Sequence, residues 1–285
     1  MNVLQLLVTG LVNTGFLVMG TIGFALTRRV EGFLNIAHAE LITVSAFTTW
    51  YLNAALGWNF FAAAATAVAV TAVLGLVVAR VFYDPIKRLG PSVLLITSVG
   101  VTFFLHGFAE ALIGTGIRVF DIPLPYSFNI GGIRITTYQI AIMALAAIST
   151  LGLVMFLNRT RTGMGIRAMA IDRDLAASRR VDIKASSRST WLIASGLAGL
   201  AGVTLGVQAT LTTDLAFQQI LIILTVAIVA GLGSLYGVIV AAALIGIAMD
   251  LSVLWLPGGY RPMVAFAVVI LALAIRPSGL IGSST

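Results

Sequence analysis

The chain has 285 residues, of which 59% are hydrophobic and 9% charged, with a mean hydropathy of +1.06; a water-soluble globular domain is excluded and lipid is the solvent. Its net charge of +7 would suggest nucleic acid for a soluble protein. In a membrane chain the same excess collects on cytoplasmic loops, so nucleic acid is not needed as a partner. With no cysteine there is no disulfide framework, thiolate metal site or cysteine nucleophile.

Residues 1–27, 41–79 and 215–249 carry no charge, and such runs hold spans of roughly 20 residues each. The first predicted helix covers about 3–26 and stops at Arg28-Arg29; lacking a basic leader and too long for a signal peptide, it is expected to stay in place. The second, about 34–56, returns outward to Trp50, Tyr51 and Trp58, which suit an interfacial aromatic belt. The third, about 60–81, comes back to Arg80, Lys87 and Arg88, where Pro85, Gly90 and Pro91 make a turn. The fourth, about 92–113, leads to an outer segment, 114–136, made turn-rich by Pro123, Pro125 and Gly131-Gly132.

The fifth, about 137–157, delivers the chain to a basic loop at 158–190 that holds eight of the seventeen Lys and Arg residues. That loop faces the cytoplasm and orients every other element. The sixth, about 191–210, carries Gly196, Gly199, Gly202 and Gly206 at spacings suited to close helix contact. Residues 217–255 read as two helices meeting at Gly231–Gly237, either of them short enough to be partly re-entrant. A last helix, about 262–275, ends at Arg276. The expected fold is an all-α polytopic membrane protein of about eight to nine transmembrane helices, N-terminus out and C-terminus in. It forms one transmembrane domain, 1–285, with 158–190 as a cytoplasmic coupling loop.

Few residues offer chemistry. Asn35, His38 and Glu40 place donors and acceptors at the start of the second span that lipid does not satisfy. They serve either a pathway element or a hydrated helix start; on a continuous helix Asn35 and His38 share a face and Glu40 points elsewhere. His106 and Glu110 stand four apart on one face of the fourth helix. They are either pathway groups or a polar contact inside the bundle, and with His38 as the other histidine no zinc site is expected. Asp250 has the same standing near the outer surface. Gly231–Gly237 follows no strand and precedes no lysine, so it is not a phosphate loop, and ATP would be handled by another subunit. In the basic loop Met164, Ala168, Ile171 and Leu175 recur at helical spacing, with Arg167, Arg173, Asp174 and Arg180 off that stripe. One short amphipathic helix results, suited to a groove on a partner or to a lipid surface.

Four segments then stand in order along the chain. They are Asn35-Ile36-Ala37-His38-Ala39-Glu40, Arg161-Thr162-Gly163-Met164-Gly165-Ile166-Arg167-Ala168-Met169-Ala170-Ile171-Asp172, Gly231-Leu232-Gly233-Ser234 and Arg276-Pro277-Ser278-Gly279-Leu280-Ile281-Gly282. Together they resemble motifs of the permease subunits of branched-chain amino-acid ABC importers, in particular the shorter of the two permease types that pair there. The resemblance covers nearly the whole chain, with two departures: Ala39 replaces the usual glycine, and Arg180-Val181-Asp182-Ile183 stands where a Gly-Ile ending is usual.

The resemblance implies a plasma-membrane permease without cofactor or catalytic residues. It implies a second homologous permease subunit, two cytoplasmic ATPase subunits, an extracytoplasmic substrate-binding protein and surrounding lipid as partners. Gly163, Met164, Arg167, Ala168, Ile171, Asp172 and Leu175 would couple to the ATPase, and Asn35, His38, Glu40, His106 and Glu110 would border the substrate pathway. Urea or short amides are alternative cargoes within the family. An ion-coupled secondary transporter is the alternative of a different class, and an intramembrane enzyme lacks a constellation of reacting groups.

Overall fold

A computed structural model describes residues 3–215, 217–231, 234–276 and 279. Seven helices among them are long and apolar enough to cross a membrane. They are built on α1 (Val3–Glu31), α3 (Phe60–Val78), α4 (Pro91–Ile113), α5 (Thr137–Arg159), α8 (Ile183–Gln208), α10 (Leu235–Leu251) and α11 (Arg261–Ile275), with the turns that adjoin α3, α10 and α11 extending those three spans to Phe60–Leu89, Leu235–Leu254 and Gly258–Ile275. Two more helices complete the bundle. α2 (His38–Trp50) is buried along most of its length, and α9 (Phe217–Ala230) has 14 residues, about 21 Å at 1.5 Å per residue against a hydrocarbon core of about 30 Å. The short amphipathic helices α6 (Arg161–Ile171) and α7 (Arg173–Ser178) lie between α5 and α8. The chain is a helical, polytopic membrane protein.

Packing sorts these helices into a centre and a periphery. α1 packs on α10, α8 and α5, while α8 also receives α2 and α3. Of the most apolar stretch of α8, 72% is buried, against 6% for α11, so α11 meets lipid or another chain. Close approach at the centre depends on small residues: a Cβ on Gly202 would lie 2.2 Å from the Ile42 carbonyl oxygen, which brings α8 onto the backbone of α2. Ser45 Oγ donates to the Gly199 carbonyl at 2.8 Å across the same contact.

The outer segment is more regular than turns alone. Strands β1 (Ser127–Ile130) and β2 (Ile133–Thr136) pair antiparallel, joined by Gly131-Gly132 with φ of 59° and 84°, the left-handed pair that a tight hairpin requires. Thr136 then caps α5 in a reciprocal box with Gln139. Arg118 bridges Leu211 through two backbone hydrogen bonds of 3.0 and 2.9 Å, binding this segment to the start of α9's connection.

Helix limits depart from the sequence expectation where polarity and capping disagree. α8 begins at Ile183 rather than near 191, because the Asp182 carboxylate accepts the Ala185 N–H at 2.9 Å and a capped helix continues beyond the membrane edge. α2 begins at His38 rather than near 34. Residues 32–37 run non-helically inside the bundle, where Ser98 Oγ accepts the Ile36 N–H at 3.2 Å and lies 3.3 Å from the Leu34 carbonyl. Irregular backbone at membrane depth persists only when protein supplies such partners. The basic loop holds two helices instead of one: Asp172 leaves helical geometry at φ −154°, ψ 116° and caps α7 through the Asp174 and Leu175 N–H groups.

Two of the four sequence motifs meet at one end. Gly231, with φ 86°, ends α9's approach to α10, and a Cβ on Gly279 would lie 2.5 Å from the Gly231 nitrogen. Leu232 and Gly233 of the first motif, and Pro277, Ser278 and Leu280–Gly282 of the second, lie outside the described residues.

Candidate functional site

The non-helical run 32–37 sets α2 deep in the bundle, and the polar residues of the first motif separate there instead of sharing a face. His38 Nε2 donates to the Gly20 carbonyl at 2.9 Å. Gly20 lies about 16 Å along α1 from Glu31, so His38 fastens α2 to the middle of α1. Asn35, which is not helical, accepts from the Tyr83 hydroxyl at 2.9 Å. Tyr83 stacks on Trp191 at 5.4 Å and meets Phe33 edge-on at 5.1 Å. Asn35 and His38 thus each have a partner inside the bundle, on either side of the start of α2.

Glu40 is different. Its side chain is 1% exposed and 3.5 Å from His106 Nδ1 on α4, yet among the described residues neither carboxyl oxygen has a hydrogen-bond donor. His106 Nε2 lies 3.8 Å from Glu110 and 3.6 Å from Asp214, and exposure rises outward from 19% at His106 to 40% and 60% at these two acids. Thr213 Oγ1 donates to Glu110 at 3.4 Å, and the buried Thr43 hydroxyl stands about one turn beyond Glu40. A polar track therefore leads from the buried centre to the surface away from the basic loop, with three carboxyl groups around one imidazole. Such a track suits a small cationic group, an ammonium above all. Among the described residues these side chains do not form a set of three metal donors. Nothing local in the sequence marks Asp214 as a partner of His106.

Asp250 is buried beside the far end of α1, accepting from Asn13 Nδ2 at 2.6 Å and pairing with Arg261 Nη2 at 3.0 Å. It clasps α10 to α1 and to the start of α11.

At the basic end, the stripe on α6 and α7 faces outward: Met164 is 49%, Ile171 80% and Leu175 54% exposed, with Ala168 half-buried beside them. The opposite side, Ile166, Met169 and Ala176, packs inward. Gly163 belongs to that inner side, since a Cβ there would lie 2.3 Å from the Phe156 carbonyl of α5. Arg167 donates to Asn158 at 3.0 Å. Behind α7, Glu31 at the end of α1 collects Lys87, Arg173 at 3.5 Å and Ser187, with its own side chain 1% exposed. Nothing local in the sequence marks Glu31, because its role depends on three partners distant in the chain.

The comparisons with known proteins agree with this architecture. A family model described as "Branched-chain amino acid transport system / permease component" matches residues 6–273. The high-affinity branched-chain amino acid transport system permease protein LivH of Escherichia coli (strain K12) is 28% identical over 279 residues, covering 92% of this chain and 89% of its own length. Its counterpart BraD of Pseudomonas aeruginosa is 28% identical over 293 residues, covering 98% and 95%. A probable branched-chain amino acid transport permease protein LivH of Methanocaldococcus jannaschii is 23% identical over 289 residues, covering 95% and 90%. Among solved structures, PsaBC from Streptococcus pneumoniae in complex with Fab shares the fold at a TM-score of 0.53 and 15% identity, covering 98% of this chain and 93% of that one. With its apolar helices, a match over nearly its full length and relatives that are named permeases rather than enzymes, the chain belongs to the permease components of branched-chain amino acid transport systems, as a multi-pass protein of the inner membrane.

Proposed function

We propose that this chain is one of two permease subunits of an ATP-driven importer for branched-chain or similar small amino acids. The observation that carries the coupling part is the apolar stripe on α6 and α7, exposed at the end where basic residues concentrate. The positive-inside bias puts that end in the cytoplasm, with the N-terminus outside, the C-terminus inside and nine crossings if α2 and α9 both traverse. Two cytoplasmic ATPase subunits would seat on the stripe, and an extracytoplasmic binding protein would deliver cargo at the opposite end. Their closure would rock α1 and α8, the buried centre of the bundle, between outward-facing and inward-facing arrangements.

Within the pathway, Glu40, His106, Glu110 and Asp214 would meet the cargo's ammonium group, and aliphatic cargo side chains would run over the apolar walls. Urea and short amides carry no ammonium and so fit this track less well. The test is uptake of labelled leucine, isoleucine, valine and urea into vesicles reconstituted with the chain and its copurified subunits. Uptake of a branched-chain amino acid that requires internal or external ATP on the side of the stripe supports the reading, and uptake independent of ATP overturns it.

One observation favours a second reading. Glu40 and His106 form an ionisable pair inside the membrane region, the kind of group an ion-coupled transporter uses. Uptake abolished by a protonophore while ATP is present would select that reading instead.

A further inference from the structure

At the basic end, beside but not within the exposed stripe, α3, α7 and α8 enclose a cavity of about 420 Å³ that the transport reading leaves unused. Five cations border it: Arg80, Lys87, Arg173, Lys184 and Arg188. Lys87 and Arg173 are held in place from behind by Glu31. Among the described residues Arg80, Lys184 and Arg188 have no carboxylate partner, and Asp84 is the acid in the lining, half-exposed and 3.8 Å from Lys87. Positive charge therefore exceeds negative charge at a concave surface whose inner wall is pinned.

The floor has different chemistry from the mouth. Leu76 and Trp191 line it, each about one turn deeper in its helix than Arg80 and Arg188 respectively. Trp191 is 3% exposed. The exposed side of α3 and of the turn after it continues this apolar character through Val73, Val77 and Val81. An inorganic anion would use the cations and gain nothing from the floor. A phosphate diester tethered to acyl chains would use both, with its charge at the mouth and its glycerol and chains along Leu76 and α3.

We propose that this cavity is a binding site for the headgroup of an anionic phospholipid of the cytoplasmic leaflet. Isolated Lys and Arg residues at helix ends reach lipid headgroups without selecting among them. Here three unpaired cations converge with two that Glu31 holds fixed, the arrangement by which basic pockets between helices retain acidic headgroups. The site is independent of what the permease carries.

The test uses the full chain with the subunits that accompany it, stripped of loose lipid and titrated with phosphatidylglycerol, phosphatidylcholine or inorganic phosphate, with bound lipid read by native mass spectrometry. Phosphatidylglycerol should bind, phosphatidylcholine should not, and millimolar phosphate should fail to displace it. Arg80→Gln and Arg188→Gln should each weaken phosphatidylglycerol binding roughly fivefold and the pair roughly 25-fold. Lys184→Gln, at an exposed position outside the ion pairs among the described residues, supplies the same comparison should the pair fold poorly. Equal retention of both lipids by the wild type, unchanged binding in these variants, or displacement by phosphate would each overturn the proposal. So would loss of an ATPase subunit from the Arg80→Gln, Arg188→Gln pair with phosphatidylglycerol still bound, since the cavity would then be a protein contact.

Discussion

Glu40 carries a buried carboxyl group that faces His106 Nδ1 at 3.5 Å and has no closer side-chain donor among the described residues, and burying such a group costs stability unless a ligand compensates for part of the time. A residue kept only for packing would be replaced at no loss by its amide. If it meets the cargo's ammonium, Glu40→Gln removes a charge-assisted hydrogen bond of about 1.5–3 kcal/mol. KM for uptake should rise about tenfold to a hundredfold, with the amount of folded protein unchanged; uptake at wild-type KM would assign Glu40 to structure alone. Arg180 is a residue of the opposite kind. It holds φ 62°, a left-handed conformation costing a non-glycine residue about 1–2 kcal/mol, at a place where the family resemblance leads one to expect glycine. Arg180→Gly should therefore stabilise the protein by about 0.5–1 kcal/mol after the greater freedom of the unfolded chain is subtracted. A thermal melt in detergent that moves down instead would show that the Arg180 side chain has a compensating contact.

For individual elements, the question is what a helix does with a face that nothing covers. Met164, Ile171 and Leu175 present apolar side chains outward while the same two helices bury Ile166, Met169 and Ala176, so both faces of α6 are apolar and only one is occupied by this chain. Ile171→Asp places a carboxylate on the outer face without touching the inner one. At a packed interface it should cost about 2–5 kcal/mol, enough to release the ATPase or uncouple it. Arg179→Gln, exposed just past the end of α7, is the control; Arg173 does not serve, because it pairs with Glu31. Copurification and cargo-stimulated ATP hydrolysis decide, and full retention of both in Ile171→Asp would remove the stripe from the coupling machinery.

The helices of the periphery were legible in sequence to within a few residues because lipid-facing segments have to be continuously apolar. The caps at the basic end came from the structure: Thr160, Asp172, Asp182 and Ser234 each accept a backbone N–H. α2 was misplaced at its start because a polar segment at membrane depth and one at the membrane surface have the same composition. They differ only in having Ser98, Tyr83 and Gly20 alongside. The Glu40 and His106 pairing was illegible for the same reason, as it joins residues of different helices.

Across the whole molecule, any motion that begins at α6 and α7 has to reach α1 and α8 before it can open a pathway. Glu31 is placed to carry it: one buried side chain at the end of α1 holds Arg173 of α7, Lys87 between α3 and α4, and Ser187 of α8. The bundle's centre is fastened to the coupling helices through this group as well as through apolar contact. Glu31→Gln keeps the volume and one acceptor but removes the charge that both cations share. Breaking a fully buried pair costs about 3–5 kcal/mol; with Lys87 and Arg173 partly exposed to water, a loss of about 1–3 kcal/mol is expected, which leaves the protein folded. If the network transmits motion, the variant complex should assemble and hydrolyse ATP at its basal rate, while cargo uptake per ATP falls at least fivefold. Should Glu31 only stabilise the fold, both activities would fall together in proportion to the protein lost. Glu31→Asp, which restores the charge on a shorter stem, should then recover stability but not coupling only if the reach to Arg173 matters. Uptake per ATP equal to wild type in Glu31→Gln would show that the centre follows the coupling helices through packing alone.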